Sequence, residues 1–253
     1  MIQDIIFFIF LLVWTMPFYR KAGKTTTFDK KWKWKTFLFM ATIGFVGVLV
    51  IQAGLMLGVR AMGLPDVPYY LIYAFVGAAL LEESAKFLIS KWFIRLSGAK
   101  TKWDYLVIFG LVGIGFQVTE SLGLSGGSPI AGVIRGVFCS HMFYQLFMGA
   151  FYYEYVKAKE EGSTSLAKKN LALSLTVPWF VHGIWDFPLL LLTGVIMGAG
   201  DDYMAYVSAH GTFTDIIVIL MVAALVLHFT VVVKSLKAVK KAADESVAAY
   251  HAQ

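Results

Sequence analysis

The residues best suited to chemistry in this chain are a short series of carboxylates, histidines and cations, each set in an otherwise apolar stretch. Leu80 to Phe87 reads Leu-Leu-Glu-Glu-Ser-Ala-Lys-Phe, so Glu82 and Glu83 are adjacent and Lys86 follows one helical turn later. On a helix the two carboxylates splay, and Lys86 can reach either from the same side. His182 and Asp186 are four residues apart, which stacks imidazole and carboxylate on one helical face and can fix a ring tautomer. Between these two sets come Phe116-Gln117-Val118-Thr119-Glu120, then Arg135, then His141.

Two carboxylates at low dielectric repel each other unless a cation such as Lys86 or Arg135 compensates, and a carboxylate poised in this way can serve as a general acid or base. A water held between a glutamate and a histidine can be deprotonated and aimed at a carbonyl, with a second histidine or an arginine stabilising the oxyanion. Glutamate and histidine are also zinc ligands, so the same residues can hold a divalent metal. The competing structural reading is an ion-paired cluster that locks one helix to its neighbours. Charges at bilayer depth cost roughly 2.5 to 3.5 kcal/mol each even on lenient insertion scales, so several together favour function for Glu82, Glu83, Lys86, His182 and His141. For Glu120 and Arg135, near the outer boundary, a structural salt bridge is an equally good reading, and they are supporting residues.

The elements that must position these groups follow from composition. Of 253 residues, 58% are hydrophobic and only 15% are charged, far below the roughly 25% charged of soluble domains. The apolar residues fall into runs long enough for an α-helix to cross about 30 Å of hydrocarbon. Such runs cover Ile2 to Phe18, Thr36 to Val59, Tyr69 to Ile94, Tyr105 to Leu124, Ile130 to Val156, Leu171 to Leu192 and Thr212 to Val233. The expectation is an all-α polytopic bundle of about seven transmembrane helices, a single integral membrane domain over 1–253. The motif-bearing helices then occupy about 69–192 and the tail 234–253.

Asp4 precedes the first run where a signal peptide would be basic, and no small-residue cleavage site follows, so this run is read as a retained helix. Lysines and arginines cluster at 20–35, 91–102, 157–169 and 234–241, whereas Asp66, Ser125 to Ser128, Asp201 and Asp202 occupy the opposite loops. This bias predicts an external N-terminus and a cytoplasmic C-terminus. The charge of +6 borders helices instead of forming a free patch, which gives nucleic-acid binding no support; the bilayer is the expected surround. Cys139 stands alone, excluding an intramolecular disulfide or a thiolate metal cluster. The glycines at 44, 47, 110, 113, 115, 132 and 136 suit close helix packing. His210, His228 and His251 have no partner legible in sequence. Counting inward from the outer boundary puts Glu82 roughly 20 Å deep, His141 about 16 Å, His182 about 13 Å, and Glu120 and Asp186 about 8 Å, an overlapping slab.

The motif set resembles the PrsW-type intramembrane proteases, relatives of the CAAX-protease and bacteriocin-processing superfamily. Their Glu-Glu-x-x-Lys is similar to Glu82, Glu83 and Lys86; their Phe-x-x-x-Glu to Phe116 and Glu120; their last His-x-x-x-Asp or Asn to His182 and Asp186. The family's intervening Arg and His look like Arg135 and His141. Four motifs in order on successive helices are specific where any one is weak. The resemblance implies cleavage of a single-pass membrane protein near its extracytoplasmic side, an anti-sigma factor being the best-known case. It also implies Glu82, Glu83 and His182 as catalytic residues, with Lys86, Glu120, Arg135, His141 and Asp186 supporting them. The lack of a His-Glu-x-x-His helix favours a metal-free glutamate peptidase without a cofactor, with zinc as the alternative. The rival function is a proton-coupled transporter or channel using the same groups as a relay. It is disfavoured because no paired Gly/Pro interruptions or internal repeat are visible.

Overall fold

The structure, a computed structural model, describes residues 25–124, 140–199 and 211–251, together with Ile9. No strand occurs among the described residues. Helix α1 is Lys30–Ala61. Helix α2 covers 66–97 and is built from Asp66–Ile72, a π-helical Tyr73–Leu80 and Leu81–Ser97. Then come α3 (Lys102–Leu124), α4 (Ser140–Glu160), α5 (Thr164–Ala199) and α6 (Gly211–His251). Three stretches, Lys30–Ala61, Thr164–Leu192 and Asp215–Ala248, are long and apolar enough to cross a membrane. By length and composition this is an all-helical membrane protein.

Local chemistry sets the helix ends. The Asp29 carboxylate accepts from the Lys31 N–H at 2.9 Å and caps α1, and this same bond lowers the Asp29 pKa from the ordinary carboxylate value. At the start of α3, Thr101 Oγ1 accepts from the Asp104 N–H, and the Asp104 carboxylate accepts in return from the Thr101 N–H, a reciprocal cap. Helices α1, α2 and α4 each stop just before a glycine at positive φ: Gly63, Gly98 and Gly162. A side chain at any of these positions would be strained.

The described apolar runs of the sequence all lie inside these helices, which extend past them because helical hydrogen bonding continues through polar flanks. The tail is the largest extension, since α6 proceeds through 234–251 without a break. The first run apart from Ile9, the glycine-rich segment 125–139 with Arg135 and Cys139, and the loop with Asp201, Asp202 and His210 lie outside the described residues.

The chain divides into two compact units. Unit 1 comprises 1–47, 85–175 and 231–253, and unit 2 comprises 48–84 and 176–230. In unit 1, α3 and α4 pack around Trp103, Leu106, Phe109, Phe143 and Leu146, all buried. A Cβ added at Gly113 would lie 2.5 Å from the His141 carbonyl oxygen, and one at Gly149 would lie 2.9 Å from Phe109, so absent side chains let these helices close up. The buried Asp104 also takes both the N–H and the hydroxyl of Thr27 and the Lys100 N–H, at 2.6 to 3.0 Å. It thereby joins the segment before α1 to the α2–α3 turn.

In unit 2, the π-helical turns of α2 pack against α5. A π-helix spaces its hydrogen bonds at i→i+5, which widens the turn. The Trp179 indole donates to the Phe75 carbonyl oxygen at 2.6 Å. Gly183 meets the Phe75 ring so closely that an added Cβ would lie 2.5 Å from it. Gly77 accommodates Met56 of α1 in the same way.

Candidate active site

The wide π-helical turn Tyr73–Leu80 runs directly into Leu81–Ser97, whose first turn carries Glu82 and Glu83. Both carboxylates are buried, with Glu83 only 1% exposed. On α5, His182 lies one residue before the glycine that admits Phe75 and three after the tryptophan that binds the Phe75 carbonyl. The packing that joins the two helices is therefore near Glu83 and His182 in sequence. His182 Nδ1 stands 3.0 Å from Glu83 Oε1 and its Nε2 3.1 Å from Asp186 Oδ2. The four-residue spacing thus does bring Asp186 onto the ring, while Glu83 reaches it from 99 residues away in sequence.

A carboxylate at each ring nitrogen makes His182 a donor on both sides when protonated. When the ring is neutral, a proton must be shared with one of the carboxyl groups. One ligand atom from each of Glu82, Glu83 and His182 lies within 4.8 Å of the others. Two carboxylates and an imidazole form a donor set suited to zinc. Asp186 on Nε2 supplies the outer hydrogen bond that a metal-bound histidine ordinarily has, so Nδ1 would be the nitrogen available to hold an ion. The residues present fit a divalent metal.

Unit 1 holds the other candidates. Lys86 Nζ is 2.8 Å from His141 Nδ1, and His141 Nε2 is 2.8 Å from Glu120 Oε2. The Lys86 ammonium also sits over the Phe116 ring at 3.9 Å from its centroid. Glu120, weighed in sequence as a partner for Arg135, is bound to His141. Sequence reasoning passed over Gln117, whose side chain accepts from the His141 backbone N–H at 3.2 Å and donates to Ser121 at 3.1 Å. It also left His228 without a partner, yet this buried ring packs on Trp185, beside Asp186, with centroids 5.4 Å apart. Neither the Gln117–His141 bond nor the His228–Trp185 packing has a signal in spacing, because each joins residues on different helices.

Against known proteins, the model of the PrsW family intramembrane metalloproteases matches residues 29–222. The Protease PrsW of Oceanobacillus iheyensis is 31% identical over 123 residues, covering 47% of this chain and 54% of that protein. The chain thus spans about half the length of this curated relative. No solved structure matches. The family's description as metalloproteases, together with the fit of the donor set, weighs on the zinc side of the alternative drawn from sequence.

Proposed function

The chain belongs to the PrsW family of intramembrane metalloproteases, and from that premise we propose that it is a membrane-embedded endopeptidase. Its substrate is a single-pass membrane protein cut in or near its transmembrane segment. The observation that carries this reading is the buried grouping of unit 2, in which Glu83 and Asp186 hold the two nitrogens of His182 and Glu82 stands beside them. Ionisable groups at bilayer depth are costly, and a cluster of them marks a place where protons, water or an ion are handled.

In this mechanism Glu83 accepts a proton from water while the water oxygen adds to the scissile carbonyl carbon. That proton passes from Glu83 to the departing nitrogen as the C–N bond breaks, while His182, protonated between Glu83 and Asp186, offsets the negative charge that develops on the oxyanion. Asp186 keeps the ring oriented. A divalent metal would be held by Glu82, Glu83 and His182 and would supply polarisation of the carbonyl and acidification of water.

The wider placement belongs to the same proposal: a multi-pass protein of the cell membrane, with about seven spans, an external N-terminus and a cytoplasmic C-terminus. Its support is the three long apolar helices and the one-sided distribution of lysine and arginine. The test compares membrane and shed proteomes of cells expressing wild type, Glu83→Gln or His182→Ala at equal folded levels. We expect fragments with new termini near a transmembrane boundary that vanish in both variants. Identical fragment sets from folded protein would remove the proteolytic reading.

A further inference from the structure

The two buried histidines have opposite hydrogen-bond surroundings. His182 has an acceptor at each nitrogen. His141 has a donor at one and an acceptor at the other. Lysine in its ammonium form only donates. The Lys86 contact at Nδ1 therefore requires a bare nitrogen there, which puts the ring proton on Nε2, where Glu120 accepts it. Each group along the line Lys86, His141, Glu120 donates to the next, and the line as a whole carries one positive and one negative end.

The surroundings of His141 help fix the position of its ring. His141 is the second residue of α4, where backbone N–H groups lack intrahelical partners, and the Gln117 side chain takes its N–H. The Phe116 ring stands edge-on to the imidazole with centroids 4.9 Å apart. The absent side chain at Gly113 lets α3 approach the His141 carbonyl. Lys86 is fully buried, and the face of the Phe116 ring adds a second attraction for its ammonium beside the His141 Nδ1 contact.

We infer that Glu120 and His141 form a directional relay whose task is to hold the Lys86 ammonium as a fixed cation at bilayer depth. Glu120 selects the tautomer, His141 presents the bare Nδ1, and Lys86 is anchored one helical turn along α2 from Glu82 and Glu83. All three are positioning residues, and both nitrogens of His141 are committed to this task within unit 1. The effect on rate rests on the proteolytic reading; the tautomer does not.

The structural arm of the test is nitrogen-15 NMR of histidine-labelled full-length protein in lipid, with the His141 signals assigned by their loss in His141→Gln. We expect a bare Nδ1 and a protonated Nε2 in the wild type. A protonated Nδ1 would overturn the relay whatever the protein does to substrates, and it needs no active variant to observe. The kinetic arm compares Glu120→Gln with Glu120→Ala. The amide oxygen of glutamine still accepts from Nε2–H, so Glu120→Gln should keep the tautomer and a kcat within about threefold of wild type. Glu120→Ala should lose the single tautomer and about tenfold or more in kcat at unchanged KM. Equal kcat and an unchanged tautomer in Glu120→Ala would also overturn the proposal. Loss of all proteolysis in wild type with the expected tautomer would count against the proposed function and leave the relay standing.

Discussion

At the scale of single residues, the donor set of Glu82, Glu83 and His182 yields a direct prediction about metal. Three buried ligand atoms within 4.8 Å of one another, backed by Asp186 on the far side of the imidazole, suit one divalent ion. Purified wild type should therefore carry about one zinc per chain by mass spectrometry, and His182→Ala and Glu82→Gln should carry almost none. Chelation should abolish cleavage and added zinc restore it. Full activity in metal-free protein would instead leave the carboxylates acting on water unaided, the form that sequence reasoning favoured. That reasoning could see His182 with Asp186 because spacing on one helix determines proximity. It could not see Glu83 with His182, or Lys86 with His141, because those meetings depend on how helices far apart in sequence pack. The resemblance to a family grouped the residues without saying which would touch.

At the scale of elements, the apolar runs foretold where helices lie but not their internal geometry. A π-helical turn and an α-helical turn bury the same kinds of side chain, so Tyr73–Leu80 looked like ordinary helix in sequence. Nor do apolar runs reveal a helix that continues through polar residues, as α6 does. The packing of this wide turn against α5 should be sensitive to small changes. Trp179→Phe keeps the ring but removes the donor to the Phe75 carbonyl, at a cost of roughly 0.6 to 1.7 kcal/mol for an interhelical bond in a membrane. Gly183→Val drives two methyl groups and a Cβ into the Phe75 ring and should cost about 1 to 3 kcal/mol. Thermal unfolding in detergent, followed by circular dichroism, should therefore rank wild type above Trp179→Phe and Trp179→Phe above Gly183→Val. A Gly183→Val protein as stable as wild type would show that the close approach of Phe75 contributes nothing to stability.

At the scale of the whole molecule, the length of α6 bears on topology. Gly211–His251 is 41 residues, about 60 Å of helix at 1.5 Å per residue, roughly twice the hydrocarbon thickness. Its apolar portion ends near Lys234, so the remainder must leave the membrane, and Lys237, Lys240 and Lys241 lie in that remainder. The emerging helix is also tied down: Ala242 and Ala243 are buried, and the Ser246 hydroxyl donates to the Thr25 carbonyl at 2.8 Å. If the positive residues mark the cytoplasmic side, a cysteine placed at the exposed Lys241, in a chain whose native Cys139 is replaced by serine, should react with a membrane-impermeant maleimide only after cells are opened. A cysteine at Gly211, at the other end of the same helix, should react in intact cells. The reverse pattern would invert the protein. By the depth count from the outer ends of the helices, inversion would open the glutamates and His182 toward the cytoplasm, and the substrates to be sought would then be those with scissile bonds near that face.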